Sequence, residues 1–467
     1  MSACPLRRLA FGRAAAGVLL VAACAGCADV ADRMPTRSAP HAARTPSSVD
    51  GAGGPQADRD SRAAVARQRA PGRSEPVARW LAATHRPDAA PLIHGNATRL
   101  LVDGPETHRA MFEAIAAARR HVHLETYILE GDETGLRFAE LLLERRRAGV
   151  HVSVLYDAIG AIGTPAAYFD RLRDGGVALC EFNPITPRPG RPVALNHRDH
   201  RKILVVDGRV AYTGGVNISD VYSSGSASAR RRSERGTGWR DTHVEIRGPA
   251  VSALQDLFVD TWGRQGCPDR PDAAADPAPA PSAQGDRVLR VLASAPADAR
   301  NAIRDELLVA MDAAERSIHV TMAYFVPDPL TIEILEAAAR RGVEVTLVLP
   351  GFSDFWAVLA AGRSHYAGLL EAGVTIRERR DALLHAKTVV IDGVWSTVGS
   401  ANMDWRSFLH NDEVNVVVIG EGFGGEMERM FAADVERSVP LDVATWARRG
   451  LPQRTKEGLA RLLEYWL

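Results

Sequence analysis

His197-Arg198-Asp199-His200-Arg201-Lys202-Ile203-Leu204-Val205-Val206-Asp207 is the stretch on which the fold turns. It sets His200, Lys202 and Asp207 in a fixed spacing, followed by Gly214, Gly215 and Asn217. The same pattern returns 185 residues later as His385, Lys387 and Asp392, followed by Gly399, Ser400 and Asn402. Composition predicts only about 0.01 such His-x-Lys-x4-acid matches in a chain of this kind. The chain has three lysines among 57 basic residues, and two of them stand in the motif. Lysine is a compact charge with rotatable donors where arginine is a planar fork, a difference that matters at a tight phosphate site.

Working outward, the two motifs sit at matching places in two matching halves. In the first half, Arg99–Val102 predicts a strand and Glu106–Arg120 an amphipathic helix with Met111, Ile115 and Ala118 on one face. His121–Leu129 predicts a strand, Leu136–Ala148 a helix closed by Gly149, Val150–Tyr156 a strand covered on both faces, and Pro165–Arg173 a helix. Ile203–Val206 is the motif strand, with Asp207-Gly208 as its turn. The second half repeats the order: Val288–Leu292, Ala302–Ala314, Ser317–Phe325, Leu330–Arg341 closed by Gly342, Val343–Leu349, and the motif strand Thr388–Ile391. This is an internal duplication in βαβ order, so each half should be an α/β layer structure.

The rest of the chain frames these halves. Arg7, Arg8 and Arg13 precede an apolar run from Ala14 to Ala23, which reads as a leader too short to span a bilayer comfortably. Val21-Ala22-Ala23-Cys24 and Cys24-Ala25-Gly26-Cys27 both resemble a bacterial lipobox, so Cys24 or Cys27 is the candidate for lipidation. Residues 28–90 are rich in Ala, Arg, Pro, Gly, Ser and Asp and read as a disordered tether, with a short helix near Val77–Ala83. A Pro/Ala/Asp-rich linker, 268–286, separates the halves. Ser223–Gly238 carries Arg230, Arg231, Arg232 and Arg235 and reads as a solvated loop, with a basic lip near anionic headgroups as the sharper alternative. Cys180 and Cys267 can pair in an oxidising compartment or remain buried thiols. No Cys/His cluster has zinc-like spacing, so no metal is expected. Formal net charge is zero and the pI about 7.3, so nothing global points to nucleic acid.

A histidine and a lysine two apart on a strand point to one face. Two copies, packed face to face, supply two imidazoles and two ammoniums. The cations stabilise phosphoryl oxygens, one imidazole can attack phosphorus, and the other can move protons. Each imidazole needs an orienting group, and a carboxylate follows each motif: Asp241 lies 41 residues after His200, and Glu413 lies 28 after His385. Asp207 and Asp392 are candidates for the catalytic set but rank below His and Lys, since each stands at a strand end before glycine. His123, His151 and His243 read as structural. His197, His365 and Tyr366 are secondary candidates, and Glu125 and Tyr127 carry no catalytic expectation.

The two motifs with their trailing residues, over roughly Gly95 to the C-terminus, resemble the phospholipase D superfamily. His200–Asn217, Arg240–Glu245 and His385–Asn415 look like bacterial cardiolipin synthases. The resemblance implies two tandem, pseudo-twofold-related α/β lobes, at 91–267 and 287–440, each a mixed sheet flanked by helices, with a helical tail at 441–467. It implies an active site at their interface, a phosphohistidine intermediate and no cofactor or metal. It also implies that Lys202, Lys387, Asn217 and Asn402 line a phosphate pocket. The expected activity is transfer of a phosphatidyl group to a phosphatidylglycerol hydroxyl. The alternatives are a phospholipase D using water, a nuclease of the same fold, or a lipid-binding protein without turnover. The expected partners are a phospholipid and a membrane surface, not nucleic acid, with the chain a monomer that is its own pseudo-dimer. The expected location is the bacterial envelope, lipid-anchored on the periplasmic side, or else held by an uncleaved N-terminal anchor.

Overall fold

The computed structural model describes residues 49–51, 54–55, 68, 80–81 and 89–467, except 188–192, 227–237, 269–270, 272–281 and 299. The leader with Cys24 and Cys27, most of the tether, residues 227–237 of the arginine-rich insertion and most of the linker lie outside the described residues. Among the described residues, no helix is long and apolar enough to cross a membrane.

The first lobe contributes strands β1 (Leu92–Val102), β2 (His121–Thr126), β3 (His151–Asp157), β4 (Ala178–Phe182), β5 (Ile203–Val206), β6 (Val210–Gly214) and β7 (Thr242–Arg247). Its helices are α1 (Asp103–Ala116), α2 (Glu133–Arg147), α3 (Ala166–Asp174) and α4 (Ala250–Arg264). The second lobe contributes β8 (Arg287–Ser294), β9 (Ser317–Met322), β10 (Glu344–Pro350), β11 (Thr375–Arg379), β12 (Lys387–Ile391), β13 (Trp395–Gly399) and β14 (Asn411–Ile419). Its helices include α5 (Ala302–Asp312), α6 (Pro329–Arg340), α7 (Trp356–Arg363), α8 (Glu421–Glu436) and, in the tail, α9 (Leu451–Arg461).

Strand pairing makes the duplication physical. The first sheet runs β4-β3-β2-β5-β6-β7-β1. The second runs β11-β10-β9-β12-β13-β14-β8. In each, the βαβ strands are parallel and the motif strand joins them antiparallel, giving a mixed sheet. The sheets meet where β1 pairs antiparallel with its counterpart β8.

Helix punctuation follows the sequence. Asp132 caps α2 through Gly135 N–H, Asn301 caps α5 and Asp328 caps α6. Gly149 and Gly342 end α2 and α6 with φ of +88° and +92°, conformations that favour glycine. Both motif strands are buried along their whole length, β5 as an unbroken apolar run and β12 with Val389, Val390 and Ile391 following Lys387 and Thr388.

Ile203 and Val205 of β5 and Val390 of β12 share one apolar layer with Val244, Val416, Leu254 of α4 and Phe423 and Met427 of α8. Each such side chain stabilises by about 1.5–3 kcal/mol relative to exposure. Buried ion pairs add register between lobes: Arg240 makes a two-pronged contact with Asp434 of α8, at 2.8 Å on each prong.

One sequence expectation changes and one open alternative closes. Described parts of the stretch read as a tether are docked: Asp50 pairs in parallel with Ile93, and Trp80 is buried in the second-lobe core, where its large apolar surface is removed from water. Cys180 and Cys267 form a disulfide with Cα atoms 5.5 Å apart, beside Phe258 and Trp262.

Candidate active site

The regular motif strands begin at Ile203 and Lys387, so His200, Lys202 and His385 stand in the extended segments just ahead of them. Those segments are stitched to the opposite lobe. Arg198 and Asp199 pair in parallel with Asn411 and Asp412, and His200 N–H donates to the Asp412 carbonyl at 2.9 Å. Likewise Trp239 and Arg240 pair with Leu383 and Leu384, and His385 N–H donates to the Arg240 carbonyl at 2.8 Å. The next residue on each facing segment is a carboxylate. Nδ1 of His200 therefore lies 3.0 and 3.1 Å from the Glu413 oxygens, and Nδ1 of His385 lies 2.7 Å from Asp241 Oδ2. Order along the chain sets each carboxylate behind the histidine of its own lobe; the fold exchanges them.

The small pair after each motif makes room for these carboxylates. A Cβ on Gly215 would stand 2.1 Å from Asp241 Oδ1. At the equivalent place Ser400 carries a side chain, and its hydroxyl donates to Glu413 at 2.5 Å. Gly399 and Gly214 leave space for Asn415 Oδ1 and the Thr242 carbonyl. The two trailing asparagines differ. Asn217 is tied to Ile128 N–H and to the Tyr222 hydroxyl, whereas Asn402 Oδ1 is buried with no partner among the described residues.

Burial dominates the electrostatics. It pulls His200 down to about 4, with Glu413 opposing and Lys202 assisting. His385 is lowered by burial and by Lys387, against the pull of Asp241. Both rings are thus neutral near pH 7, with Nδ1 held by a carboxylate and Nε2 left for chemistry. Burial alone would raise Glu413, but the His200 charge and hydrogen bond, Lys202 and Ser400 hold it at about 2. Asp241 is lowered in the same way: burial alone would raise it, but the His385 charge and hydrogen bond, Lys387 and the Thr242 N–H together outweigh it. Lys202 is brought down to about 7, by burial first and also by Lys387, and Lys387 is lowered by burial. Each ammonium is placed behind its histidine: Lys202 Nζ donates to the His200 carbonyl at 2.5 Å, and Lys387 Nζ donates to the His385 carbonyl.

A cavity of about 460 Å³ opens over this centre, lined by His200, His385, Asn217 and Asn402 together with residues that no motif marks; Lys202 and Lys387, expected in the lining, stand behind the histidines instead, each held by its histidine's carbonyl. Tyr127 and Tyr324 stand just past the ends of β2 and β9, matching strand-end positions that the duplication itself marks. Tyr222 and Trp239 flank the arginine-rich insertion. The Tyr222 hydroxyl is 3.3 Å from His385 Nδ1, and the Trp239 ring centre is 5.1 Å from that of His385. Nothing in the sequence pattern distinguishes these two from ordinary loop aromatics. Two imidazoles, two buried ammoniums and a cavity between them can hold a phosphodiester and carry it through nucleophilic displacement.

Asp207 and Asp392 do not belong with this set. Each sits in a left-handed turn, with φ of 55° and 54°. Asp207 accepts the N–H groups of Arg119, Arg120 and His121 at 2.9, 2.8 and 3.0 Å; Asp392 accepts those of Glu315, Arg316 and Ser317. Their oxygens are consumed fixing the turn to the start of β2 or β9, and neither lines the cavity. The secondary histidines are accounted for similarly. His197 bonds Asp412 at 2.6 Å, His123 stacks on Phe258, His151 contacts Ser153, and His243 Nδ1 accepts from Val216 N–H. His365 pairs with Glu464 at 3.2 Å and Tyr366 packs on Trp446, so neither lines the cavity. Among the described residues no His/Cys/Asp/Glu group is arranged to hold a metal ion.

A family model described as cardiolipin synthase, PLD-like domain, matches residues 111–226 and again 307–435. A cardiolipin synthase of Geobacillus sp. (strain WCH70) is 35% identical over 383 residues, covering 81% of this chain and 74% of that protein. Cardiolipin synthase A of Pseudomonas aeruginosa (strain LESB58) is 38% identical over 359 residues, covering 77% and 71%. The crystal structure of a phosphatidylserine synthase from Haemophilus influenzae Rd KW20 superposes with a TM-score of 0.61 at 14% identity, over 79% of this chain and 95% of that one, a likeness of fold.

Proposed function

Because the chain belongs to the cardiolipin synthase family of phospholipase D-like proteins, we propose that its two crossed histidine–carboxylate pairs carry out phosphatidyl transfer between phospholipids. The activity is that of a phosphatidyltransferase of the cardiolipin synthase type, and its substrate is a phospholipid. The single observation supporting the site assignment is that His200 and His385, one from each lobe, line one cavity with Nδ1 of each bonded to a carboxylate.

In the proposed sequence, Nε2 of one histidine attacks the phosphorus of phosphatidylglycerol. A P–N bond forms and the bond to the headgroup oxygen breaks; the other histidine, neutral in the empty site, takes up a proton from solvent when the anionic phosphodiester enters the cavity and offsets its burial, and gives that proton to the leaving glycerol. A hydroxyl of a second phosphatidylglycerol then attacks the phosphohistidine. The second histidine takes its proton, the P–N bond breaks, and cardiolipin leaves. Lys202 and Lys387 offset the charge gathering on the phosphoryl oxygens, with Asn217 and Asn402 beside them. Glu413 and Asp241 hold the tautomers and stabilise the imidazolium when it forms. The leader supports a place at the periplasmic membrane surface, with acylation at Cys24 or Cys27.

Purified protein given phosphatidylglycerol should yield cardiolipin and glycerol by mass spectrometry, and His200→Ala and His385→Ala should each abolish turnover, because the two act as a unit. Phosphatidic acid as the only product would assign the protein to hydrolysis. Near-normal turnover of either variant would reject the paired mechanism.

A further inference from the structure

The helix α9 is packed the wrong way round for an ordinary surface helix. Glu457 and Ala460 are its buried residues, and Glu457 accepts from Arg449 and Gln453 at 2.9 Å each. Leu451, Thr455, Leu459 and Leu462 fall on one stripe at helical spacing and face outward. The three leucines are 75%, 60% and 79% exposed, with Leu463 beside them. Phe355 and Trp356, at the start of the neighbouring α7, are also exposed, and Lys456 lies over the Trp356 ring at 4.8 Å. Arg454, Lys456 and Arg461 are exposed around the stripe. Of the local acids, Glu457 is buried, Glu464 is bonded to His365, and Asp354, exposed beside Phe355, accepts from the Tyr324 hydroxyl.

This face runs directly into the site. Beyond Leu463 the chain is pinned by Tyr465 against His410 and Trp405, and Trp466 and Leu467 then line the cavity, as does Phe355. A cavity of about 460 Å³ has room for a headgroup and not for two acyl chains beside it. The chains of a bound lipid must therefore stay outside its mouth, where the exposed leucines and aromatics stand. An apolar stripe edged by basic side chains is the arrangement that lies in a lipid–water interface and favours anionic headgroups.

We propose that the outward stripe of α9, extended by Leu462, Leu463, Phe355 and Trp356, docks on an anionic phospholipid bilayer and sets the cavity mouth against it. The proposal rests on the phospholipid reading of the site only for the identity of the surface.

The test uses the full chain and the double variant Leu459→Glu/Leu462→Glu, whose side chains are exposed and outside the cavity. Hydrogen exchange of residues 451–463 should slow when phosphatidylglycerol vesicles are added, and not with phosphatidylcholine vesicles. The variant should lose this protection. Its kcat/KM on phosphatidylglycerol vesicles should fall by at least about tenfold, what losing the burial of one or two leucines would produce, while its turnover of a short-chain phosphatidylglycerol below its micellar concentration should match the parent. Equal losses on vesicles and monomers, or no vesicle-dependent protection, would overturn the docking. Protection that appears without lipid and grows with protein concentration would overturn it in favour of contact between copies of the chain. Failure of the parent to turn over even the monomeric lipid would instead remove the phosphatidyltransferase reading, leaving the exchange result to decide docking.

Discussion

Glu413, from the second lobe, lies 3.0 Å from Nδ1 of His200 in the first, and Asp241 in the first lobe lies 2.7 Å from Nδ1 of His385 in the second. Each half of the site is therefore completed by the other. Neither lobe alone orients its own motif histidine, which ties catalysis to the packing of the duplicated halves.

The crossing can be tested directly. Glu413→Gln should perturb the tautomer and titration of His200 and leave His385 unchanged, with Asp241→Asn doing the converse, as read by histidine nitrogen chemical shifts. Each should lower kcat by roughly 10⁴, the scale for losing the orienter of a catalytic histidine. A response of the histidine in the same lobe would contradict the arrangement.

The pH dependence follows from Lys202, brought down to about 7 mainly by burial. Below that pH it is charged and can hold a phosphate; above it the charge is lost, so kcat/KM should fall as pH rises through about 7. The linkage has the opposite sign for stability. Unfolded lysine titrates near 10.4, so between about 7 and 10 the unfolded state holds the proton that the folded state has released, and this group's contribution to stability rises with pH across that window. Lys202→Met should be slower throughout and lack the limb near 7. A flat parent profile from about pH 6 to 9 would count against a depressed lysine at the site.

Asp207→Ala removes the acceptor of three backbone N–H groups. Folded stability should drop by about 1–3 kcal/mol, visible as a lower Tm, while kcat of the folded protein at low temperature stays within about twofold, since surrounding contacts still place His200. A large loss of kcat with an unchanged Tm would return Asp207 to the catalytic set.

The Cys180–Cys267 bond closes a loop between residues 87 apart in sequence. Cys180→Ser/Cys267→Ser should lower stability by about 2–4 kcal/mol in thermal or denaturant unfolding, with the histidine titrations unaltered. Identical melting of the double variant and the oxidised parent would mean that the bond does not form in solution.

What the amino-acid sequence determined by itself was local and periodic. The strand of Ile203–Val206, the helix end at Gly149, the Asp207-Gly208 turn and their repeats follow from side-chain period, caps and turn chemistry, which act over a few residues. The duplication was legible because it repeats, and the repeat exposed His200, Lys202, His385 and Lys387. The tertiary structure alone decided which carboxylate serves which histidine. Spacing along the chain sets Asp241 after His200, whereas the parallel pairing of Arg198–Asp199 with Asn411–Asp412 brings Glu413 there instead. It also decided that Asp207 and Asp392 hold turns, that Tyr222 and Trp239 reach His385, and that α9 turns its leucines outward. These are contacts between residues tens to hundreds of positions apart. Their formation depends on how two apolar faces pack, and no local pattern in the chain encodes that.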